Sequence, residues 1–144
     1  MCSSDLHHPW TAKDAAQRVD TLKQEVAALR RNEKGMSEED YQRETEIIAG
    51  HMSQTWERII SQVIAEPLVD FTSLEVRVGK LRIIGRVTEK DVKIYDDSYS
   101  RISGWASRHD PHPDLNYSPP TVEELNGEIE VIADWFNRVK RYQK

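Results

Sequence analysis

The sequence predicts an all-α fold, a bundle-like module of four helices whose first helix is short and of coiled-coil type. Two observations predict it. Apolar residues recur at helical steps of three and four in four separate stretches, and capping residues or prolines bound those stretches. The segment 68–87 lacks this period and is expected to be an irregular or small β insert. Residues 11–144 are expected to form a single helical domain after a disordered tail at 1–10.

The first helix is predicted over 11–34 and the second over 37–66. The first carries a short apolar seam that requires a partner helix, either within the fold or in another chain: Val19, Leu22, Val26 and Leu29. Gly35 is expected to end this helix in a left-handed conformation. Ser37 is expected to cap the second helix, and Pro67 to end it, because the residue before a proline is disfavoured in helical geometry.

Two further helices are predicted after the insert, over 88–109 and 121–143. Thr88 and Thr121 each precede acidic residues, and the second of them opens a full capping box with Glu124. The insert itself fits a small hairpin or a crossover with one helical turn equally well, because its apolar residues alternate only loosely.

Composition and motifs exclude several classes of protein. The chain has 144 residues and a formal net charge of -5, which disfavours generic coating of nucleic acid. A lone Cys2 excludes a disulfide framework and a cysteine-based zinc site. GxxxxGK[ST], GxGxxG and HExxH are missing from the sequence, and no apolar run approaches the roughly 20 residues of a membrane span. The start has no apolar signal region, so a cytoplasmic location is expected.

The segment 107–113 concentrates residues that could do chemistry. His109, Asp110 and His112 could converge on a metal, but nothing supplies an obvious fourth ligand, so no metal and no cofactor is expected. His109 could instead act as a general acid or base, oriented by a carboxylate of a neighbouring helix. In a third interpretation, Arg108 and His109 only complement the dipole at a helix end.

Glu57 on the second helix is the carboxylate that could orient His109. The alternative is that Glu57 lies on an exposed face and pairs with Arg58 or solvent, and spacing alone favours this alternative. Three tryptophans on different predicted helices are expected to share one core or flank its edge: Trp56, Trp105 and Trp135. The alternative is that they form a platform on which nucleic-acid bases stack.

Four sequence blocks carry a resemblance to a known family. They are TWER at 55–58, VTEKD at 87–91, SRISGWASRHD at 100–110 and PPTVEEL at 119–125. In this order they resemble the C-terminal helical region of bacterial AAA-family, ABC-type ATPases that have a long coiled-coil insertion and include relatives of anticodon nucleases. The resemblance covers about residues 37–144.

The resemblance implies an accessory module of an ATPase-linked defence system, detached from its ATPase. It implies that the chain binds an ATPase module or a coiled-coil partner, or that it forms a homodimer. It also implies that the chain binds tRNA. The nuclease relatives have HEPN-like modules that cut RNA without metal, which would make Glu57 and His109 catalytic. The family arginine would fall on Ser53, a departure that leaves Arg58 or Arg108 as substitutes. A catalytically dead structural fragment is the remaining alternative.

Overall fold

The computed structural model describes residues 9–106 and 118–144, and this part of the chain is mostly helical, as predicted. In chain order its helices and strands are α1 (Ala15–Asn32), α2 (Glu38–Ile60), α3 (Glu66–Leu68), β1 (Val69–Asp70), β2 (Glu75–Val76), α4 (Arg82–Arg86), α5 (Glu89–Ala106) and α6 (Val122–Val139). Tight 3₁₀ turns cover Trp10–Ala12, Glu33–Gly35, Val78–Lys80 and Lys140–Gln143. None of the helices described here is long and apolar enough to cross a membrane.

The first helix starts and ends at local capping structures. Asp14 caps α1 and forms a capping box with Gln17, whose side chain accepts a hydrogen bond from the Asp14 backbone. The expectation that Gly35 adopts a left-handed conformation is wrong, because no glycine in the described residues has a positive φ. The chain instead tightens into a 3₁₀ turn and extends at Met36, which brings Ser37 directly to its capping position at α2.

The second helix does not end where Pro67 predicts. A π-helical turn, Ser61–Ala65, continues α2 into α3, and Glu66 keeps helical angles, so the expected break before Pro67 is wrong. A tertiary contact replaces the backbone donor that Pro67 lacks. Proline cannot donate to the carbonyl four residues earlier, which belongs to Val63, and the Gln143 side-chain amide donates to that carbonyl at 3.1 Å instead.

The insert combines both predicted alternatives. β1 and β2 form an antiparallel hairpin in which Val69 is opposite Val76, and a 3₁₀ turn and α4 follow. Leu74 in the hairpin loop has a φ of 61°, a left-handed conformation that is costly for a branched side chain. Between 69 and 86, Ile83 is the buried apolar residue, so the insert adds little to the core.

The long helices pack around one apolar core. α1 contacts α2 and α6, α2 contacts α5, and α5 contacts α6. The seam of α1 is buried in this core, so the partner helices that it requires lie within the fold. α5 begins one residue after its predicted start, and residues 107–109 of its predicted end lie outside the described residues. α6 and its terminal 3₁₀ turn match the predicted span of the last helix.

Two of the tryptophans meet at the centre of the core. The Trp56 ring packs edge-on against Trp135, with ring centroids 5.1 Å apart, and against Tyr95 at 5.2 Å. Trp105 packs at the edge of the same core. Trp56 is fully buried and Trp135 nearly so, so neither ring is available to stack on a nucleic-acid base.

Candidate functional site

Glu57 lies on an exposed part of α2, beside α5. The Tyr99 hydroxyl donates a hydrogen bond to Glu57 Oε1 at 3.3 Å, and Ser53 is half-buried one helical turn earlier. Burial raises the pKa of the Tyr99 hydroxyl, and the charge and hydrogen bond of Glu57 raise it further. The Tyr99 hydroxyl therefore keeps its proton and serves as a donor that orients the carboxylate.

Two arginines, Arg18 and Arg58, lie near Glu57. Burial lowers the pKa of Arg18, repulsion by Arg58 lowers it further, and attraction to Glu57 partly offsets both effects. Arg58 Nη1 lies 3.9 Å from Glu66 Oε1, and Arg58 Nε is buried without a hydrogen-bond partner among the described residues. Arg18 is buried and donates to the carbonyls of Lys13 and Gln54, so Arg58 is the partly exposed arginine of this surface that could face an anion.

The predicted partner of Glu57 falls in the segment between α5 and α6. His109 and Arg108, together with Asp110 and His112, lie outside the described residues, so the meeting of His109 with Glu57 stays a prediction. Ser53 lies one turn from Glu57, as the helical spacing requires.

Trp10 covers the face where α1 and α2 meet. Its ring stacks on His51 with centroids 4.3 Å apart, and the Arg18 guanidinium lies 4.8 Å from the Trp10 ring. His51 Nδ1 contacts Glu25 Oε2 at 2.8 Å, and the Trp10 indole donates to the Gln54 amide oxygen. These contacts fix the segment before α1 to the bundle.

A buried network joins α2, α5 and α6. The Trp56 indole donates to Ser98 Oγ at 3.0 Å, and Ser98 donates to Glu128 Oε2 at 2.5 Å. Arg101 Nε donates to Glu128 Oε1 at 2.6 Å. Ser98 is fully buried, so its hydroxyl cannot reach a substrate, and the network pairs the polar groups that the three helices bury.

Asp91 forms a second buried cluster at the start of α5. Its carboxylate accepts hydrogen bonds from Arg138, Tyr142 and the Thr88 backbone at 2.8, 2.8 and 3.1 Å, and the Trp135 indole donates to its carbonyl. Burial opposes ionisation of Asp91, but the hydrogen bonds and the Arg138 charge outweigh this effect and hold the pKa of the carboxyl below its usual value.

The sequence did not predict that the carboxylates of Glu128 and Asp91 are buried. Glu128 lies three residues after Leu125 and four before Ile132, within the apolar stripe of α6, and this position was the available signal. Asp91 was visible only as an acid in the first turn of a helix. Its contact with Arg138 crosses 47 residues of sequence and leaves no local pattern.

The site as described is a surface carboxylate on an all-α bundle, bordered by tyrosine and arginine side chains. No group of three or more His, Cys, Asp or Glu residues within 9–106 and 118–144 could hold a metal ion. Comparison of the chain with protein-family models, curated proteins and solved structures finds no match.

Proposed function

We propose that this chain is a helical interaction module that binds a partner protein through its insert. The observation that carries this proposal is the exposure of six large apolar side chains between 71 and 84, named here the insert face: Phe71, Leu74, Val76, Val78, Leu81 and Ile84. Their exposed fractions run from 46% at Leu81 to 77% at Leu74. A cluster of this kind is typical of a surface that a partner covers.

The resemblance supports an ATPase of a defence system as one such partner. The chain itself has no phosphate-binding loop of the GxxxxGK[ST] type, so nucleotide chemistry would come from another polypeptide or another domain. The α1 seam is occupied inside the bundle, which leaves the insert face rather than a coiled coil as the surface for this partner.

Co-purification tests this proposal. The tagged chain is expressed with an ATPase of the coiled-coil family that it resembles, and the amount of ATPase retained is compared with that for Phe71→Ser/Leu74→Ser. Loss of two apolar anchors is expected to reduce retention at least about tenfold. Ile47→Ser is the matched control, because Ile47 is 44% exposed but lies on α2, outside the insert. Equal retention by the double variant and the wild type would contradict the role of the insert face.

A second candidate function is a metal-independent RNase of the HEPN-like type that acts on tRNA. The observation that favours it is the exposed Glu57 carboxylate, oriented by Tyr99 and next to the partly exposed Arg58. In this candidate Glu57 orients His109, which acts as the acid or base, and Arg58 or Arg108 stabilises the phosphate charge in place of Ser53.

Cleavage of tRNA in EDTA tests this second candidate. His109→Ala and Glu57→Gln are each expected to lower the cleavage rate at least about 100-fold, since general acid–base catalysis contributes that much. Glu130→Gln is the control, an exposed carboxylate on α6. Equal background cleavage by all four proteins would reject the RNase.

A further inference from the structure

The insert face is positively charged as well as apolar. Between 69 and 86 two acidic residues, Asp70 and Glu75, are outnumbered by four basic ones, in a chain whose net charge is -5: Arg77, Lys80, Arg82 and Arg86. Arg77 donates to the Glu66 carbonyl and Arg86 to the carbonyls of Tyr142 and Lys144. Backbone hydrogen bonds, and to a smaller extent the charge of Arg77, lower the pKa of the Asp70 carboxyl, so Arg77 is partly neutralised within the insert. Lys80 and Arg82 are therefore the charges that a partner would meet. A partner of this surface should be both acidic and apolar.

A surface with that chemistry exists at the other end of the same molecule. A cleft of about 440 Å³ between α1 and α2, named here the acidic groove, is lined by Glu25, Ala28, Leu29, Asn32, Met36 and Glu44. Leu29 and Met36 are its larger apolar lining residues, Glu44 is an exposed carboxylate, and Glu25 contacts His51. A second cleft of about 520 Å³ shares Met36 and adds Glu33 and Glu38. The first nine residues of α2, 38–46, contain five acidic residues and one basic residue.

The two surfaces cannot meet within one molecule. Glu44 and Ile60 lie on the same helix, and at 1.5 Å per residue they are about 25 Å apart before the chain reaches the insert. The insert face of one molecule can therefore reach only the acidic groove of another.

We propose that the insert face binds the acidic groove of a second copy of this chain, so that copies associate head to tail. This inference rests on the proposed function, because it assigns the partner of the same insert face. Apolar side chains such as Leu81 would cover the apolar lining of the groove, and Lys80 and Arg82 would face Glu44. Such a contact joins two different surfaces, so it builds a ring or an open chain rather than a twofold dimer.

The chemistry of the insert favours a second copy over nucleic acid or lipid. Five of the six apolar residues of the insert face are aliphatic, whereas single-stranded nucleic acid is bound by aromatic stacking. The helix in the insert, α4, has five residues, too few for an amphipathic helix that lies in a membrane surface.

Sedimentation velocity of the purified full chain tests the inference. Between about 1 μM and 500 μM at low salt, the average mass of the wild type is expected to rise above 16.7 kDa. Association is expected to weaken at least about tenfold at about 0.5 M NaCl, where charges are screened within about 4 Å. A wild type that stays at the monomer mass throughout would overturn the inference.

Two variants identify the surfaces. Lys80→Ser/Arg82→Ser removes two charges of the insert face, and Glu44→Lys places a like charge in the acidic groove. Each variant alone is expected to be monomeric, whereas an equimolar mixture should form a dimer of twice the monomer mass and nothing larger, because each partner supplies one intact surface. The controls are Lys90→Ser/Lys93→Ser on α5 and Glu130→Lys on α6, exposed positions whose variants should associate like the wild type.

Two further measurements distinguish self-association from binding to nucleic acid, lipid or an ATPase. Binding to tRNA or to phosphatidylserine vesicles that Lys80→Ser/Arg82→Ser abolishes, without self-association, would overturn the inference in favour of that ligand. Retention of an ATPase by a strictly monomeric chain would also overturn it, yet would leave the proposed interaction module intact. Helical circular dichroism of each variant confirms that the bundle is folded.

Discussion

Asp91 ties the start of α5 to the end of α6 through an ion pair and several hydrogen bonds. Its carboxylate is nearly buried, whereas the Arg138 side chain remains 41% exposed. Removal of the charge leaves Arg138 able to find water, so the loss is smaller than for a pair buried on both sides. This residue nevertheless holds two helices that are distant in sequence.

We expect Asp91→Asn to lower the free energy of unfolding by about 2–3 kcal/mol at neutral pH, because charge-assisted hydrogen bonds to Arg138 and Tyr142 are lost. Urea unfolding followed by far-UV circular dichroism measures it. Asp97→Asn is the control, since Asp97 pairs with Lys93 on the surface of the same helix and should change stability by less than about 0.5 kcal/mol. Equal losses from both variants would contradict the structural role of Asp91.

The same carboxylate predicts a pH dependence. The pKa of Asp91 is lower in the folded protein than in the unfolded chain, so its contribution is complete above the unfolded value of about 4 and is lost as the pH falls through the folded value. The stability difference between the wild type and Asp91→Asn should therefore be constant from pH 7 to about 5 and shrink below about pH 4. A difference that grows on acidification would contradict the lowered pKa.

At the scale of elements, the insert differs from the helices that flank it. It buries Ile83 alone among its apolar residues, and its hairpin has two residues in each strand. The long helices, by contrast, each contribute several buried residues to one core. Local opening of the insert therefore exposes little new apolar surface and costs little free energy.

We expect backbone amides between 69 and 81 to exchange with deuterium at least about 100-fold faster than those in the middle of α1, because local opening suffices for the insert and global unfolding is needed for α1. Hydrogen exchange with mass spectrometry at low protein concentration measures it. Exchange of the insert as slow as that of α1 would show that it is part of the cooperative core.

The helices were predictable from local pattern, and the exceptions have tertiary causes. The stripe from Val122 to Val139 and its capping box are enough to place α6, because both depend on residues three or four apart. Pro67 does not end the helix, and the carbonyl of Val63 that a proline leaves free accepts a hydrogen bond from the Gln143 side chain, 80 residues away. Spacing indicated that Glu57 is exposed, but it contained no sign that Tyr99 of α5 would donate to it.

At the scale of the whole molecule, one core should make the bundle unfold as a unit. Leu22 is fully buried where α1 meets the rest of the bundle, and Ile102 occupies the same core from α5. Loss of packing in any one helix therefore weakens the support of all the others.

We expect Leu22→Ala to cost about 3 kcal/mol, since truncation of a buried leucine leaves a cavity, and to lower the midpoint of thermal unfolding by about 10 °C without splitting the transition. Calorimetry measures it, with equal calorimetric and van't Hoff enthalpies as the sign of a single transition. Leu81→Ala, at a side chain that is 46% exposed, is the control and should change stability by less than about 0.5 kcal/mol. Two separate transitions would show that α1 unfolds independently.

The aromatic cluster around Trp56 gives the chain an intrinsic optical probe. Its indole is shielded from water, hydrogen-bonded to Ser98, and in contact with the rings of Tyr95 and Trp135. Fluorescence from this indole should therefore be blue-shifted, and light absorbed by Tyr95 should be re-emitted by the neighbouring indoles. Because these rings come from α2, α5 and α6, loss of that energy transfer would report the separation of three helices without any attached dye.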